Sequence, residues 1–275
     1  MVDTLHIGDR EVPRIGFGTL YITEQRGFGP YRSNAIELLR EARNLGVRFF
    51  DSADSYGNGA AEDAIHDALY PYEGFLIATK GGYRHDRLGA WSPDARPEQL
   101  RAALEGSLRR LHLESVDLYQ LHCADGRVPY EDSVGALVDM QKEGKIRHVG
   151  VSNVGVSEIE IARRLTPVVS VQNAFNVRQQ GNSQVLDYCT ANAIAFIPWM
   201  PLGDGGLSWD DPDLQRLATK YEVTAPQIAL AALLHRSPIM LPIPGTSSLA
   251  HLRDNCASGN LGVDSADLAV FWQSR

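Results

Sequence analysis

Short apolar runs alternate with longer amphipathic segments along almost the whole chain. The apolar runs are rich in β-branched and aromatic residues, as is typical of strands buried on both faces. They lie near residues 15–19, 47–51, 75–80, 115–121, 146–151, 168–172, 194–199 and 239–243. Segments with a helical period lie near 33–45, 60–70, 97–111, 131–143, 157–165, 182–192, 213–235 and 248–257. Eight strands alternating with eight helices predict an α/β fold, and at a length of 275 residues they favour a closed (β/α)8 TIM barrel over an open doubly wound sheet.

A β-hairpin is predicted ahead of this barrel. Gly8-Asp9 supplies turn residues between the run Leu5-His6-Ile7 and the extended stretch 11–19. The chain has no linker-like tract of Pro, Gly and Ser and no block of like charge. We therefore expect a single domain that spans residues 1–275.

The longest predicted connections all follow strands rather than helices. They comprise residues 20–32, 81–96, 123–130 and 202–211, after the first, third, fourth and seventh predicted strands. In a barrel, these loops gather at the C-terminal face of the sheet, where barrel enzymes place their sites. The sequence therefore predicts the functional site at that face.

Residues that can hold or move a proton end three of the apolar runs. Asp51 and Tyr56 follow Val47-Arg48-Phe49-Phe50, Lys80 ends the run 75–80, and His122 follows the run 116–121. A carbonyl becomes an alcohol when a hydride reaches its carbon and a proton reaches its oxygen. A tyrosine can donate that proton once a neighbouring cation lowers its pKa from about 10. We expect Lys80 to be that cation, Asp51 to hold Lys80 in place, and His122 to hydrogen-bond the substrate oxygen.

Composition and charge exclude several other functions. Lys and Arg number 26 and Asp and Glu 34, giving a net charge of −8, and no basic run exceeds Arg109-Arg110. Nucleic acids and anionic membranes are therefore poor partners for this chain. Three cysteines without paired spacing favour a reducing compartment, and we expect a cytoplasmic protein. Only one of eight histidines, His122, ends a predicted strand, so no metal site is expected.

The chain resembles the aldo-keto reductases over nearly its whole length. The motifs that carry the resemblance are D-S-A-D-S-Y-G at 51–57, T-K at 79–80, L-H at 121–122, G-V-S-N at 150–153, V-Q-N at 171–173, P-W-M-P-L-G at 198–203 and P-I-P-G-T-S-S-L-A-H-L-R-D-N at 242–255. The resemblance implies that Asp51, Tyr56, Lys80 and His122 form a catalytic tetrad. It also implies NADPH as cofactor, with NADH as an alternative.

The same resemblance implies where the cofactor lies. The nicotinamide half would contact Thr19, Ser152, Asn153, Gln172, Trp199, Leu202 and Gly203. The adenosine half would contact Gly245, Thr246, Ser247, His251, Asp254 and Asn255. Short polar side chains suit a carboxamide, which needs donors and acceptors, and an indole offers a flat face to a flat ring. Gly245 and His251 replace a lysine and an arginine of the form best known for binding the 2′-phosphate, so the preference for NADPH over NADH stays open.

The substrate pocket is expected between the long loops. Its candidate apolar walls are Tyr21, Phe28, Tyr83, Trp91 and Trp209. The stretches 26–30, 68–72 and 245–255 are similar to those of bacterial pyridoxal reductases, which implies aldehydes on small aromatic rings. Two other functions remain open: a Schiff-base lyase that uses Lys80, and a cofactor-binding regulatory subunit. The expected partner is a small carbonyl compound, with a monomer as the default state.

Overall fold

The computed structural model describes residues 3–23, 32–85, 90–203 and 207–273. Its strands, in chain order, are β1 (Thr4–Ile7), β2 (Arg10–Pro13), β3 (Phe17–Gly18), β4 (Phe49–Asp51), β5 (Leu76–Gly81), β6 (Tyr83–His85), β7 (Trp91–Pro93), β8 (Val116–Leu121), β9 (Ile146–Ser152), β10 (Val168–Ala174) and β11 (Ala195–Trp199). Its helices are α1 (Arg32–Asn44), α2 (Ala60–Leu69), α3 (Pro97–Leu111), α4 (Tyr130–Lys142), α5 (Val156–Leu165), α6 (Ser183–Ala191), α7 (Pro212–Tyr221), α8 (Ala225–Arg236), α9 (Leu249–Ala257) and α10 (Ser265–Leu268).

Seven parallel strands form one curled sheet. Its order is β11-β10-β9-β8-β5-β4-β3, so neighbours in space follow the order of the chain. Residues 239–243, predicted as the eighth strand, close the circle without forming a regular strand. Phe196 in β11 exchanges hydrogen bonds of 2.9 Å with the backbone of Ile239 and Leu241, and the amide of Gly16 donates to the carbonyl of Pro242 over 2.9 Å. The predicted (β/α)8 barrel is confirmed, with an irregular segment in place of its eighth strand.

The predicted N-terminal hairpin is also confirmed. Strands β1 and β2 pair antiparallel with Leu5 opposite Val12. Their buried side chains pack with Phe49, Leu76 and other residues of the barrel interior. The hairpin therefore contributes its apolar face to the barrel core.

Seven of the predicted helices match observed helices to within one residue at each end. The expectation of one helix over 213–235 is wrong, because the chain forms two helices there. Glu222 adopts a left-handed conformation with φ of 54°, which ends α7. The hydroxyl of Thr224 then caps a new helix by accepting from the amide of Gln227, and the Gln227 side chain accepts from the amide of Thr224.

A second hairpin, formed by β6 and β7, lies inside the connection 81–96 and was not predicted. Its strands pair antiparallel, with Tyr83 opposite Pro93 and His85 opposite Trp91. The amide of Asp94 donates to the carbonyl of Gly82 over 2.8 Å and ties the returning strand to the end of β5. This hairpin carries Tyr83 and Trp91 to the C-terminal face of the barrel. Within the described ranges, no helix is both long and apolar enough to cross a membrane.

Candidate active site

A cavity of about 760 Å³ opens at the C-terminal face of the barrel. Its wall includes residues that end β3, β4, β9, β10 and β11, together with the chain that follows them. This is the face at which the sequence places the site. Asp51, Tyr56 and His122 line the cavity, and Lys80 lies behind them in contact with Asp51 and Tyr56.

Lys80 is wholly buried, and its ammonium group has three acceptors for its three protons. Its Nζ lies 2.6 Å from Asp51 Oδ2, 2.8 Å from the carbonyl of Ser52 and 3.3 Å from the hydroxyl of Tyr56. Burial by itself lowers the pKa of Lys80, but the attraction of Asp51 and the Tyr56 hydroxyl outweighs it, and the net pKa is raised above 10.5. Lys80 is therefore a cation at neutral pH.

Three side chains donate hydrogen bonds to the carboxylate of Asp51. Besides Lys80 on Oδ2, Gln120 Nε2 donates to Oδ1 over 3.1 Å and Gln172 Nε2 donates to the same oxygen over 2.9 Å. The backbone carbonyl of Asp51 accepts from the hydroxyl of Thr19 over 3.0 Å. These bonds fix the carboxylate, and through it Lys80.

Tyr56 lies at the cavity with its ring 4.9 Å from Lys80 Nζ. The expectation that the cation lowers the pKa of Tyr56 below 10 is wrong in net effect. Burial raises the pKa more than Lys80 lowers it, and the carboxylates of Asp51 and Asp54 raise it further. Tyr56 is consequently protonated at neutral pH, as a proton donor must be.

His122 is a neutral imidazole because burial, and then the charge of Lys80, hold its pKa well below 6.5. Its ring packs edge-on against Tyr83 at 4.8 Å and Tyr56 at 5.9 Å. Its Nδ1 is buried and has no hydrogen-bond partner among the described residues. A neutral ring offers one N–H to a bound oxygen without bringing a second cation beside Lys80.

Three predicted polar residues and an indole line the cavity along β9, β10 and β11. Ser152 Oγ donates to the carbonyl of Gln172 over 2.7 Å, and Asn153 Nδ2 donates to the carbonyl of His122 over 3.0 Å. The indole of Trp199 donates to Asn153 Oδ1 over 3.0 Å, which fixes the plane of its ring. These contacts place amide groups and a flat aromatic side chain on one wall, which suits a flat amide-bearing ring.

The cavity wall also includes Thr19, Leu202, Gly245, Thr246 and Ser247, all of them predicted cofactor residues. A Cβ at Gly245 would lie 2.7 Å from the carbonyl oxygen of Gly18 and 2.9 Å from the Tyr21 ring, so no larger side chain fits without a shift of the backbone. Helix α9 begins just beyond, capped by Ser248. Its first amides form a ready site for a phosphate group.

Four predicted cofactor residues do not lie on the cavity wall that the described residues form. Gly203 packs against Leu207 instead. His251, Asp254 and Asn255 lie on α9, beyond the end of the cavity at Ser247. Asn255 is buried, with only 3% of its surface exposed, and its contact with adenine stays a prediction.

The structure places only some of the predicted substrate walls at the cavity. Tyr21, Tyr83 and Trp91 line the cavity, and Trp91 packs edge-on against Tyr56 at 6.1 Å. Trp209 is not on the cavity wall that the described residues form. Its segment leads into α7, where Arg178 holds Asp211 through two hydrogen bonds of 2.6 Å. Phe28 lies outside the described residues.

Gln120, which was not predicted, holds Asp51 from β8, two strands away in the sheet. Its Cα pairs with that of Lys80 across β5 and β8, and its side chain is wholly buried. A single amide inside the apolar run 116–121 is the signal that could have found it. Leu20, Met200 and Pro201 also line the cavity. Met200 and Pro201 belong to the motif at 198–203, whereas no sequence signal distinguishes Leu20 from an ordinary loop residue.

Comparisons with known proteins agree with this geometry. The model of the aldo/keto reductase family matches residues 14–271. An uncharacterised oxidoreductase of Schizosaccharomyces pombe is 42% identical, over 95% of this chain and 86% of its own. Pyridoxine 4-dehydrogenase of Escherichia coli is 38% identical, over 98% of this chain and 97% of its own. An aldo/keto reductase of Klebsiella pneumoniae, solved in complex with NADP and acetate, superposes with a TM-score of 0.84 at 26% identity, over 98% of this chain and 94% of its own.

The family match covers more than half of the chain, and two relatives exceed 30% identity over almost all of it. The sequence motifs, the barrel fold and the cluster of four side chains agree with these matches. The chain belongs to the aldo/keto reductase family.

Proposed function

We propose that this protein reduces aldehydes or ketones to alcohols with NADPH, and that Tyr56 donates the proton. The observation that carries the proposal is the contact of Lys80 with both Asp51, at 2.6 Å, and the Tyr56 hydroxyl, at 3.3 Å, at the base of the cavity. A proton donor, a cation to stabilise its conjugate base and a carboxylate to hold that cation are the parts the reaction needs.

The cavity suits a nicotinamide dinucleotide. Asn153 and Trp199 would hold the nicotinamide ring, and the tight approach at Gly245 together with the start of α9 would hold the phosphates. NADPH, when bound, supplies the hydride that the reaction requires. The structure of the Klebsiella pneumoniae relative was solved with NADP, which supports NADPH over NADH as the reductant.

Side chains of the protein then donate the proton and stabilise the charge that its transfer leaves. Tyr56 is protonated at neutral pH and can release its proton to a carbonyl oxygen beside it. The phenolate left behind is stabilised by Lys80, 3.3 Å away, which keeps its charge because Asp51 pairs with it. His122 orients the carbonyl oxygen by donating its single N–H, and because it carries no extra proton it does not replace Tyr56 as the acid.

We propose that the substrate is an aldehyde on a small aromatic ring, such as pyridoxal. The rings of Tyr83 and Trp91 meet His122 and Tyr56 edge-on at the reacting end, and Tyr21 lines the same cavity near Gly245. Aromatic walls favour flat substrates, which stack on or meet them edge to face. The name of the Escherichia coli relative, pyridoxine 4-dehydrogenase, supports the same substrate class.

The same geometry counts against the two other functions. A Schiff-base lyase needs a neutral lysine amine, whereas Lys80 is a buried cation with three acceptors. A regulatory subunit needs no proton donor, yet Tyr56 and its supporting groups are in place. Free thiols at Cys123, Cys189 and Cys256 support a reducing compartment, and we propose the cytoplasm and a monomeric state.

A carbonyl panel assayed with NADPH and with NADH tests the proposal, using the Tyr56→Phe variant. We expect turnover of aromatic aldehydes by the natural chain, and a fall in kcat of about 10²- to 10⁴-fold in the variant with the Kd for NADPH nearly unchanged. Tyr130→Phe is the matched control, because its buried hydroxyl has no partner among the described residues and lies on α4. Full activity in Tyr56→Phe would refute the assignment.

Two further results would replace the proposal. Borohydride-dependent attachment of substrate to Lys80 would indicate a lyase. Tight NADPH binding without turnover of any aldehyde would indicate a regulatory subunit.

A further inference from the structure

A second charged cluster lies behind the reaction centre, and the proposed mechanism does not use it. Glu62, in the first turn of α2, is wholly buried. Its Oε2 accepts from Nε and Nη2 of Arg110, each over 2.7 Å. Its Oε1 accepts from the hydroxyl of Thr79 over 2.5 Å.

Thr79 connects this pair to Lys80. Thr79 precedes Lys80 on β5 and, like it, has no exposed surface. Glu62 therefore holds the strand one residue before the catalytic cation. A strand fixed at that point keeps the Lys80 side chain aimed between Asp51 and Tyr56.

Arg110 connects the pair to Tyr56. Tyr56 opens a short turn that runs to Gly59, and a Cβ at Gly59 would lie 2.4 Å from Arg110 Nε. Gly59 has φ of 95°, so the turn brings bare backbone against the guanidinium group, which no other residue type would permit. A Cβ at Gly106, one turn before Arg110 on α3, would stand 3.1 Å from Nη1.

The two segments also contact each other directly. The amide of Asp54, in the segment that leads to Tyr56, donates to the carbonyl of Lys80 over 3.2 Å. The segments carrying Tyr56 and Lys80 thus form one unit, and Glu62 with Arg110 supports it from the side away from the cavity. An arginine held by two nitrogens on one carboxylate keeps a fixed orientation, which suits such a support.

We propose that Glu62 and Arg110 are positioning residues for the reaction: their ion pair sets the distance between the Tyr56 hydroxyl and Lys80. This inference rests on the proposed function of Tyr56 as proton donor. Proton transfer depends steeply on geometry, and a displacement of about 1 Å can lower a rate by about 100-fold. Neither residue is on the cavity wall that the described residues form, so we expect their replacement to change the Kd for NADPH little.

A double-mutant cycle on Glu62→Gln and Arg110→Met separates positioning from stability. We expect each single variant to lower kcat about 10- to 100-fold while the Kd for NADPH stays within about twofold. Arg110→Met leaves a buried carboxylate without its cation, so its Tm falls most. The double variant contains no unpaired charge and should regain Tm, but kcat should stay low because the support is gone.

Two controls accompany the cycle. Arg101→Met removes another arginine of α3, which is bonded through both Nη atoms to Glu143 at the surface, and it should leave kcat unchanged. Leu137→Ala removes a wholly buried side chain of α4 and should lower Tm without a matching loss of kcat. Recovery of kcat together with Tm in the double variant would show that the pair is only structural and overturn the proposal.

Hydrogen exchange measured by mass spectrometry gives a result that does not depend on turnover. We expect faster amide exchange in peptides covering 54–62 and 76–82 of Glu62→Gln than in Leu137→Ala. If both peptides exchange in Glu62→Gln at the same rate as in the unsubstituted protein, the positioning role is wrong. Inactivity of the natural chain toward every carbonyl, with faster exchange in Glu62→Gln, would instead refute the proposed function and leave the structural support intact.

Discussion

Replacing Asp51 by Asn should destabilise the protein far more than its similar shape suggests. All three side-chain partners of Asp51, namely Lys80, Gln120 and Gln172, donate hydrogen bonds to it. An asparagine has an NH₂ group that must face one of these donors, and it carries no charge to pair with Lys80. The variant therefore leaves a buried cation without its anion and sets donor against donor.

The size of this effect follows from the burial of the pair. Side-chain exposure is 0% for Lys80 and 1% for Asp51, so solvent cannot replace the lost carboxylate. Breaking a buried ion pair on one side costs about 3–5 kcal/mol. With an unfolding entropy of about 2.1 cal/mol/K per residue over 275 residues, this loss lowers Tm by about 5–9 °C.

The loss should also depend on pH in a defined direction. In the natural protein the pKa of Lys80 is raised, so its stabilising contribution is present below the unfolded value of about 10.4 and disappears only as the pH rises through the folded value. In Asp51→Asn, burial is no longer opposed by the carboxylate and lowers the pKa of Lys80. The stability deficit should therefore shrink as the pH rises from 7 toward 10.

Urea unfolding followed by tryptophan fluorescence, at pH 7 and at pH 9.5, measures both effects. The double variant Asp51→Asn with Lys80→Met serves as the control, because it removes both charges and should regain much of the stability. A deficit below about 1 kcal/mol at pH 7 would refute the reasoning. An equal deficit at both pH values would refute the part that assigns it to the charge of Lys80.

Two further predictions concern other parts of the site. Gly245→Ala places a Cβ 2.7 Å from the carbonyl oxygen of Gly18 and should displace this wall of the cavity. If restoring the wall costs about 1–3 kcal/mol, the Kd for NADPH should rise about 5- to 150-fold in a fluorescence titration, and unchanged affinity would contradict the tight approach. Burial and the nearby charge of Glu62 raise the pKa of Asp54 to about 7, so its ionisation should lower stability as the pH rises from about 4 to about 7. In Asp54→Asn this fall in the free energy of unfolding, of up to about 4 kcal/mol, should disappear from urea unfolding measured between about pH 4 and about pH 7. An unaltered pH profile would contradict the assignment to Asp54.

Local patterns predicted most of the fold. The strands of the sheet are buried segments rich in β-branched and aromatic residues. The helices between them show a clear helical period of apolar residues, and seven predicted helices match the structure to within one residue at each end. The broken helix at 222–224 was missed because Thr224 and Gln227 form a cap inside a periodic segment. The hairpin of β6 and β7 was missed because its strands are three residues each, too short for a period to be visible.

The sequence by itself determined the family and the barrel, and it predicted the proposed tetrad, because each of these depends on residue type and on position at a strand end. Only the tertiary structure decided the electrostatic state of the tetrad. Burial outweighs Lys80 in setting the pKa of Tyr56, and that balance depends on neighbours from distant parts of the chain. The same holds for Gln120 on Asp51 and for Glu62 with Arg110 behind Lys80, since segments 48 and 69 residues apart meet there only when the barrel closes.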